Sequence, residues 1–592
     1  MKEILYLISV VIFIIIITII KKSQDKMNFT KFFTVMIISF LCYNSFICLI
    51  LNIFSISITI ENLAIINFLI SAILASVILK NKEIQKFYIN KKDIIAIIVI
   101  VIVTLTSAYL NFGIDLNIKY LTTDSAVHFK AAREFYQNDL LLNKTEGTSI
   151  SKQFMIGAYT NTGILFKVLE PFVGEINLYK VFISFDIFLF LLLGLIMYSA
   201  VEKIIKGKKE FFLSIIAIGL FMIGYPLNTL IFGYVYLQLG LTIIGAIIII
   251  YQNYLEEKNN FPYIMLFLFN FGLFFTYCIF VPVIYFSEGL YFLIKEYQEK
   301  KKFTFKNIVK IFIILVIPFI LGLLYFAIPH ISNSNNQTES FFLTIEGYIY
   351  RNCWSNFIFV MPLSILSLFK KEKSNLFYKI ILTVLIIYMI IFFVVVYKFQ
   401  LSTYYYYKTN FVLWFVIWYG AIYSINKFKD DEKTKKILMI YCSIYLIFTI
   451  IAIKLKYVPI TKETFDSDEN LTNAFDIYCI NRTIISYVEI DYTKEEIKIL
   501  DYVHRNIDIQ KNKVLIIGNP RQEFWFDGIF EYKNRNNLET IIPKEHIENW
   551  NDDKNFEYLI IFNRSYYYDN YKEDIIYKDK IFENEAGAIY KQ

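Results

Sequence analysis

Residues 180–209, KVFISFDIFLFLLLGLIMYSAVEKIIKGKK, decide the fold. The first part, 180–201, is an apolar run with a single carboxylate, Asp186, and Lys203, Lys206, Lys208 and Lys209 follow it. A helix needs about 20 mostly apolar residues to cross the hydrocarbon of a bilayer, and its cytoplasmic end collects Lys and Arg. The stretch therefore reads as a membrane span that ends on the cytoplasmic side.

The pattern repeats outward in both directions. Apolar runs precede it at 3–20, 32–54, 63–79 and 94–110. Others follow at 211–226, 235–251, 261–277, 279–294, 307–328, 355–369, 377–397, 411–426 and 437–454. Together they predict about fourteen spans. Lysine-rich connectors at 21–31, 80–92, 203–209, 295–310, 370–379 and 427–436 fall on one side, with 252–260 the weak member. By the positive-inside rule that side is cytoplasmic, so the N-terminus, the loop 111–179 and the tail after 454 are expected outside. The first run is long and lacks a small-residue cleavage site, so it reads as a retained span.

Composition agrees. Hydrophobic residues make up 57% and charged residues 19% of the 592, against about 25% charged in soluble domains. The net charge of +7 comes largely from the basic connectors; it speaks for topology and against nucleic acid. The six cysteines show no CxxC and no metal-ligand spacing. Cys42, Cys48, Cys278 and Cys442 lie in or beside apolar runs and read as packing residues, whereas Cys353 and Cys479 share the outer side and are candidates for a disulfide.

The tail, 455–592, has a different texture. Thr493–Ile507, TKEEIKILDYVHRNI, opens with a capping box and has helical apolar spacing. VLIIG at 514–518 and YLIIF at 558–562 read as buried strands, and 586–590 as a last edge strand. The fold class expected is a polytopic α-helical membrane protein with a small C-terminal extracytoplasmic α/β domain. Gly518-Asn519-Pro520 is only a turn, because neither GxGxxG nor a Walker pattern is present.

Chemistry is expected in the loop 111–179, at 120–136, YLTTDSAVHFKAAREFY. A helix starting near Thr122 or Thr123 puts Asp124 in its first turn. Asp124 and His128 are four apart and share a face, with Lys130 and Arg133 flanking it. An acid, an imidazole and two cations at a membrane surface suit a phosphate-bearing partner. The bland alternative is a solvated amphipathic helix with Val127, Phe129 and Phe135 in lipid. Further along the loop, Ile164, Leu165, Val168, Leu169 and Phe172 make a stripe that predicts a helix lying in the membrane interface, kinked or ended by Glu170-Pro171. Other outer loops supply Arg351, whose planar fork matches phosphate oxygens, and Tyr404 and Lys408 in KFQLSTYYYYKTN at 398–410. Tyr234 and Gln238 belong to an outer turn able to hydrogen-bond a sugar. Four histidines are too few for a rich metal site, but Asp124, His128 and His330 could share one divalent ion such as Mg or Mn.

These features resemble the GT-C superfamily, multi-span glycosyltransferases that take a sugar from a polyprenyl-phosphate carrier outside the membrane. Asp124 in TTDSAVHF matches the acidic position early in the family's first long external loop. His128 and Arg133 are similar to the polar residues that follow that acid in some members. The tail, a helix like TKEEIKILDYVHRNI and then a strand like VLIIG, also resembles the external domains of bacterial members. The likeness covers the chain from about residue 94, so 1–93 would be an N-terminal addition to a core at 94–454. It implies a plasma-membrane enzyme, a polyprenyl-phosphate-linked sugar donor, and a glycan, lipid or protein acceptor. Asp124 would be the base, with Lys130, Arg133, Arg351 or Lys408 on the phosphate. The family's paired acids are absent, since Ser125-Ala126 follow Asp124, and so is any WWDYG-like motif, which argues against transfer to protein sequons. The competing classes are a lipid-linked oligosaccharide flippase or exporter, and a polysaccharide polymerase or ligase. A transporter would place charges along its spans and carry internal repeats; here Asp186 stands nearly alone.

Overall fold

The computed structural model describes residues 1–20, 27–81, 86–120, 123–139, 141, 155–253, 261–300, 305–332, 353–369, 375–399, 404–427, 436, 440, 443, 490–509, 511–512, 514–530, 538–540, 557–565, 568 and 579–591. Helices α1 (Lys2–Ile20), α2 (Phe29–Ile53), α3 (Ile60–Asn81) and α4 (Lys91–Phe112) come first. Helices α5 (Asp124–Asn138) and α6 (Ile156–Val173) follow, then α7 (Leu178–Val201), α8 (Lys208–Met222), α9 (Tyr225–Phe232) and α10 (Val235–Asn253). The remaining apolar helices are α11 (Phe261–Tyr277), α12 (Val281–Lys300), α13 (Phe305–Ile311), α14 (Ile317–Ser332), α15 (Cys353–Leu366), α16 (Leu376–Phe399) and α17 (Tyr404–Lys427).

The chain is a polytopic helical protein. Among the described residues, eight stretches are long and apolar enough to cross a bilayer, within Phe29–Ile53, Lys91–Phe112, Glu175–Ile204, Lys208–Phe232, Val235–Gln252, Phe261–Gln298, Ile308–Tyr325 and Leu376–Val395. That is fewer than the fourteen expected. The runs at 261–277 and 279–294 form one apolar stretch broken by a single 3-10 turn, Cys278–Phe280. Helix α17 carries Lys408, Thr409 and Asn410, all buried together with Trp414 and Phe415. The run at 437–454 lies outside the described residues apart from positions 440 and 443, as do Cys442 and Cys479 and the side chain of Cys353. Cys42 and Cys48 are buried, as packing residues should be.

At one end of the bundle a short parallel pair, β1 (Met27–Asn28) and β2 (Phe87–Tyr88), holds α2 beside α4. The Asn28 side chain caps α2 by accepting from Lys31 N at 3.0 Å, and its Nδ2 donates to Asp93 in α4 at 2.9 Å. Asp93 also accepts from Asn90 N and from the Tyr198 hydroxyl of α7, each at 2.7 Å. Beside this knot, buried Lys31 pairs with Glu202 at 2.8 Å. Helix α2 goes on to pack against α6, α7 and α11, so it is built into the bundle, while α1 and α3 pack chiefly on each other.

Helices α5 and α6 pack against the helical bundle and against each other. Helix α6 is enclosed by α2, α5, α7 and α11, and only the far end of its apolar stripe, Phe172, is well exposed. Asn161 explains the inward pull: its Nδ2 donates to Leu41 O of α2 at 3.0 Å, and its Oδ1 accepts from Asn44 at 3.1 Å. A polar side chain at that position needs partners inside the bundle. Phe129 and Phe135 of α5, which the bland reading gave to lipid, are likewise buried in protein.

The C-terminal residues form α18 (Lys494–Asn506), β3 (Val514–Ile517), α19 (Pro520–Phe530), β4 (Leu538–Thr540), β5 (Tyr558–Phe562), β6 (Asp579–Asn584) and β7 (Gly587–Lys591). The sheet order is β4-β3-β5-β7-β6; β4 and β5 run parallel to β3, while β7 is antiparallel to β5 and β6. The capping box forms as its spacing predicts: Glu496 accepts from Thr493 N at 2.7 Å and Thr493 Oγ1 accepts from Glu496 N at 3.2 Å. Helix α19 packs along α5, so this unit sits directly behind the helix that carries Asp124.

Candidate functional site

Asp124 opens α5 and is half-buried. Thr123 is the N-cap residue, but its side chain makes no capping hydrogen bond. The turn between α9 and α10 abuts this helix start. Gly233 makes the approach feasible: its φ is +71°, and a Cβ there would lie 2.7 Å from the Ser125 Cβ and 3.0 Å from the Tyr120 ring. The next residue, Tyr234, then donates its hydroxyl to Asp124 Oδ2 at 3.3 Å.

One turn along α5, buried His128 faces the same region. Its Nδ1 and the Tyr159 hydroxyl of α6 are 2.7 Å apart. Its ring meets Tyr236 edge-on at 4.9 Å between centroids. The first turn of α17 brings in Lys408, only 1% exposed. Its Nζ donates to the Tyr236 hydroxyl at 2.5 Å and lies 4.5 Å from the Tyr234 ring, 5.0 Å from Tyr236 and 5.8 Å from Tyr277. Tyrosine ring faces are a favourable setting for a desolvated ammonium. Burial pushes the Lys408 ammonium down to about 7, and the Asp124 carboxylate partly offsets this. Five separate segments of chain therefore bring an acid, an imidazole, an ammonium and several phenols to one place.

The cluster differs from the expected one. Lys130 and Arg133 point away from it. Lys130 Nζ donates to both carboxylate oxygens of Asp527 in α19, each at 2.7 Å. Buried Arg133 pairs with Glu175. Positions 130 and 133 fall on other sides of a helix whose 124/128 face is turned to the tyrosines. Arg351 and the side chains of His330 and Tyr404 lie outside the described residues. Among the described residues no group of three or more His, Cys, Asp or Glu could hold a metal ion. Tyr159, Tyr236 and Tyr277 were not foreseen. A weak signal was present in Tyr234-Val235-Tyr236, directly after a glycine at a helix start.

Asp186 lies near this cluster. It is wholly buried in α7 and accepts from the Tyr120 hydroxyl at 3.3 Å. Tyr120 is also where the C-terminal unit attaches. Its carbonyl accepts from Arg521 at 3.1 Å, and Asp491 N donates to the neighbouring Ile118 carbonyl at 2.7 Å. Burial pushes the Asp491 carboxyl up to about 7, partly offset by the Arg521 charge. Burial does the same to Glu523 of α19, also to about 7. No protein-family model matches this chain, and no curated protein matches it either.

Proposed function

We propose that the chain is a membrane glycosyltransferase of the plasma membrane. It moves a sugar from a polyprenyl-phosphate donor to a hydroxyl-bearing glycan, lipid or protein acceptor on the outer face, with the C-terminal α/β domain also outside. The observation that carries this reading is the convergence of Asp124, His128 and Lys408 in one tyrosine-lined site. A sugar presents C–H faces that suit aromatic rings, and a leaving phosphate presents charge that suits a buried ammonium.

In the proposed reaction the acceptor oxygen attacks the anomeric carbon from the face opposite the phosphate. The new glycosidic C–O bond forms as the bond to the phosphate oxygen breaks. Asp124 takes the acceptor's proton as general base. His128, fixed by Tyr159, orients the acceptor hydroxyl. Lys408 balances charge on the departing phosphate, where low hydration strengthens its effect.

The test is sugar transfer in membranes from a polyprenyl-phosphate sugar, comparing wild type with Asp124→Asn at matched expression. Removing a general base is expected to lower turnover by about 10²–10⁴-fold. Equal transfer by both proteins would remove Asp124 from the chemistry.

A further inference from the structure

The C-terminal unit touches α5 on the face opposite the tyrosine cluster, and the contact is built like an anchor. Trp525 of α19 is completely buried. Its ring stacks on Tyr120 at 5.9 Å and 13°, and packs against Phe129 at 5.2 Å and Phe182 at 6.3 Å. Phe129 is the residue after His128, and Tyr120 begins the short link into Asp124. Two residues after Trp525, Asp527 takes both its bonds from Lys130. Gly528 completes the contact: a Cβ there would lie 3.2 Å from the Ala126 carbonyl and 3.3 Å from the Phe129 ring, so the two helices nearly touch. These contacts fall on residues 120 to 130, the span that holds both Asp124 and His128.

We propose that Trp525, secured by the Asp527–Lys130 pair, is a positioning residue that locks α5 in the orientation its site requires. The C-terminal unit is thus part of the active-site scaffold, not an appendage. This rests on the glycosyltransferase reading for its consequence but not for its geometry. The bundle alone leaves the Trp525-facing side of α5 as an aromatic cage with no occupant. An acid that must meet a hydroxyl at hydrogen-bond distance tolerates little helix motion, because misplacement of about 1 Å can cost about 10²-fold in rate.

The test uses the full chain in lipid nanodiscs and two readouts. The first is the rate at which diethylpyrocarbonate modifies His128, resolved by mass spectrometry, which needs no substrate. The second is sugar transfer, with turnover and donor KM measured separately. Trp525→Ala is expected to raise His128 modification by about tenfold or more and to lower turnover by a similar factor, with donor KM changing far less. Trp525→Phe should behave like wild type in both, because the indole Nε1 has no hydrogen-bond partner among the described residues. Should Trp525→Ala fail to fold, the charge exchange carries the test: Lys130→Asp alone loosens the helix, and Asp527→Lys added to it restores protection and turnover. Wild-type protection and turnover in both Trp525→Ala and Lys130→Asp would overturn the proposal. Exposure of His128 without loss of turnover would also overturn it. If Asp124→Asn keeps full transfer while Trp525→Ala exposes His128, it is the glycosyltransferase assignment that fails.

Discussion

Asp93 and Asp124 are the same residue type in the first turn of a helix, at opposite ends of one bundle. Helix α4 separates the two levels; its 22 residues span about 33 Å. Asp93 is fully buried and takes three short bonds, from an amide side chain, a backbone N–H and a tyrosine hydroxyl. Asp124 is half-buried and, among the described residues, takes one long bond, from Tyr234. A saturated carboxylate has nothing left to offer a substrate and holds three chain segments together. A sparsely bonded carboxylate beside an imidazole and an ammonium keeps its capacity for a reacting hydroxyl. The contrast marks Asp93 as a strut and leaves Asp124 the carboxylate available for the proposed chemistry.

Exchanging the same atom at both places tests that division most directly. Asp124→Asn is expected to leave the thermal midpoint close to wild type while removing about 10²–10⁴-fold of transfer. Asp93→Asn should do the reverse. It turns an amide N–H₂ toward three donors, and hydrogen bonds to a charged group are worth about 1.5–3 kcal/mol each. A loss of about 3 kcal/mol in unfolding free energy is expected, with the surviving folded protein still active. Thermal unfolding in detergent and transfer per folded molecule measure the two axes. Should Asp93→Asn lose activity without losing stability, the division collapses.

Lys408→Met sharpens the same contrast with a smaller effect. Buried cations are costly, and a well-fitting apolar replacement of similar length is often neutral or stabilising. The variant is expected to unfold no earlier than wild type. Its transfer should fall by about 10²-fold, the scale of losing one stabilising group for developing charge. Reduced stability with unchanged transfer would make Lys408 a strut like Asp93 rather than a phosphate partner.

The sequence carries what is local. Apolar runs locate the helices, and the Thr493/Glu496 spacing locates the start of α18. Strands stand at Val514–Ile517 and Tyr558–Phe562 where buried runs predict them. The four-residue spacing of Asp124 and His128 places them on one face. What fails is non-local. Lys130 sits among loop residues in the sequence, yet its partner Asp527 is 397 positions away, and no spacing rule reaches that far. Tyr159, Tyr236 and Tyr277 come from three helices, in a chain with 46 tyrosines, so none stands out before the bundle brings them together. The apolar stripe of α6 has the same period whether it faces lipid or protein, so its packing partners are not legible from the stripe. Only Asn161, with its bonds to α2, marks the difference.

The smallest effect concerns Asp491, a carboxylate intermediate between the two extremes. It is buried at the joint between the bundle and the C-terminal unit, with Arg521 3.6 Å away and the charge of Arg564 also acting on it. Its carboxyl is pushed up to about 7, chiefly by burial, against about 3.9 in an unfolded chain. A carboxyl raised in the folded state favours its neutral form there. Its contribution to stability is therefore complete below about pH 4 and is lost as the pH rises through about 7. Docking of α19 on α5 is expected to loosen between those limits, and His128 to gain reactivity as it does. Asp491→Asn cannot ionise, so the ratio of His128 modification in wild type to that in the variant should rise across this window and be flat below it. Taking the ratio cancels the reagent's own pH dependence. Glu523, also raised to about 7, remains in both proteins, so the variant removes only the share that belongs to position 491. A ratio that stays flat from pH 4 to 8 would show that ionisation of Asp491 does not loosen the joint.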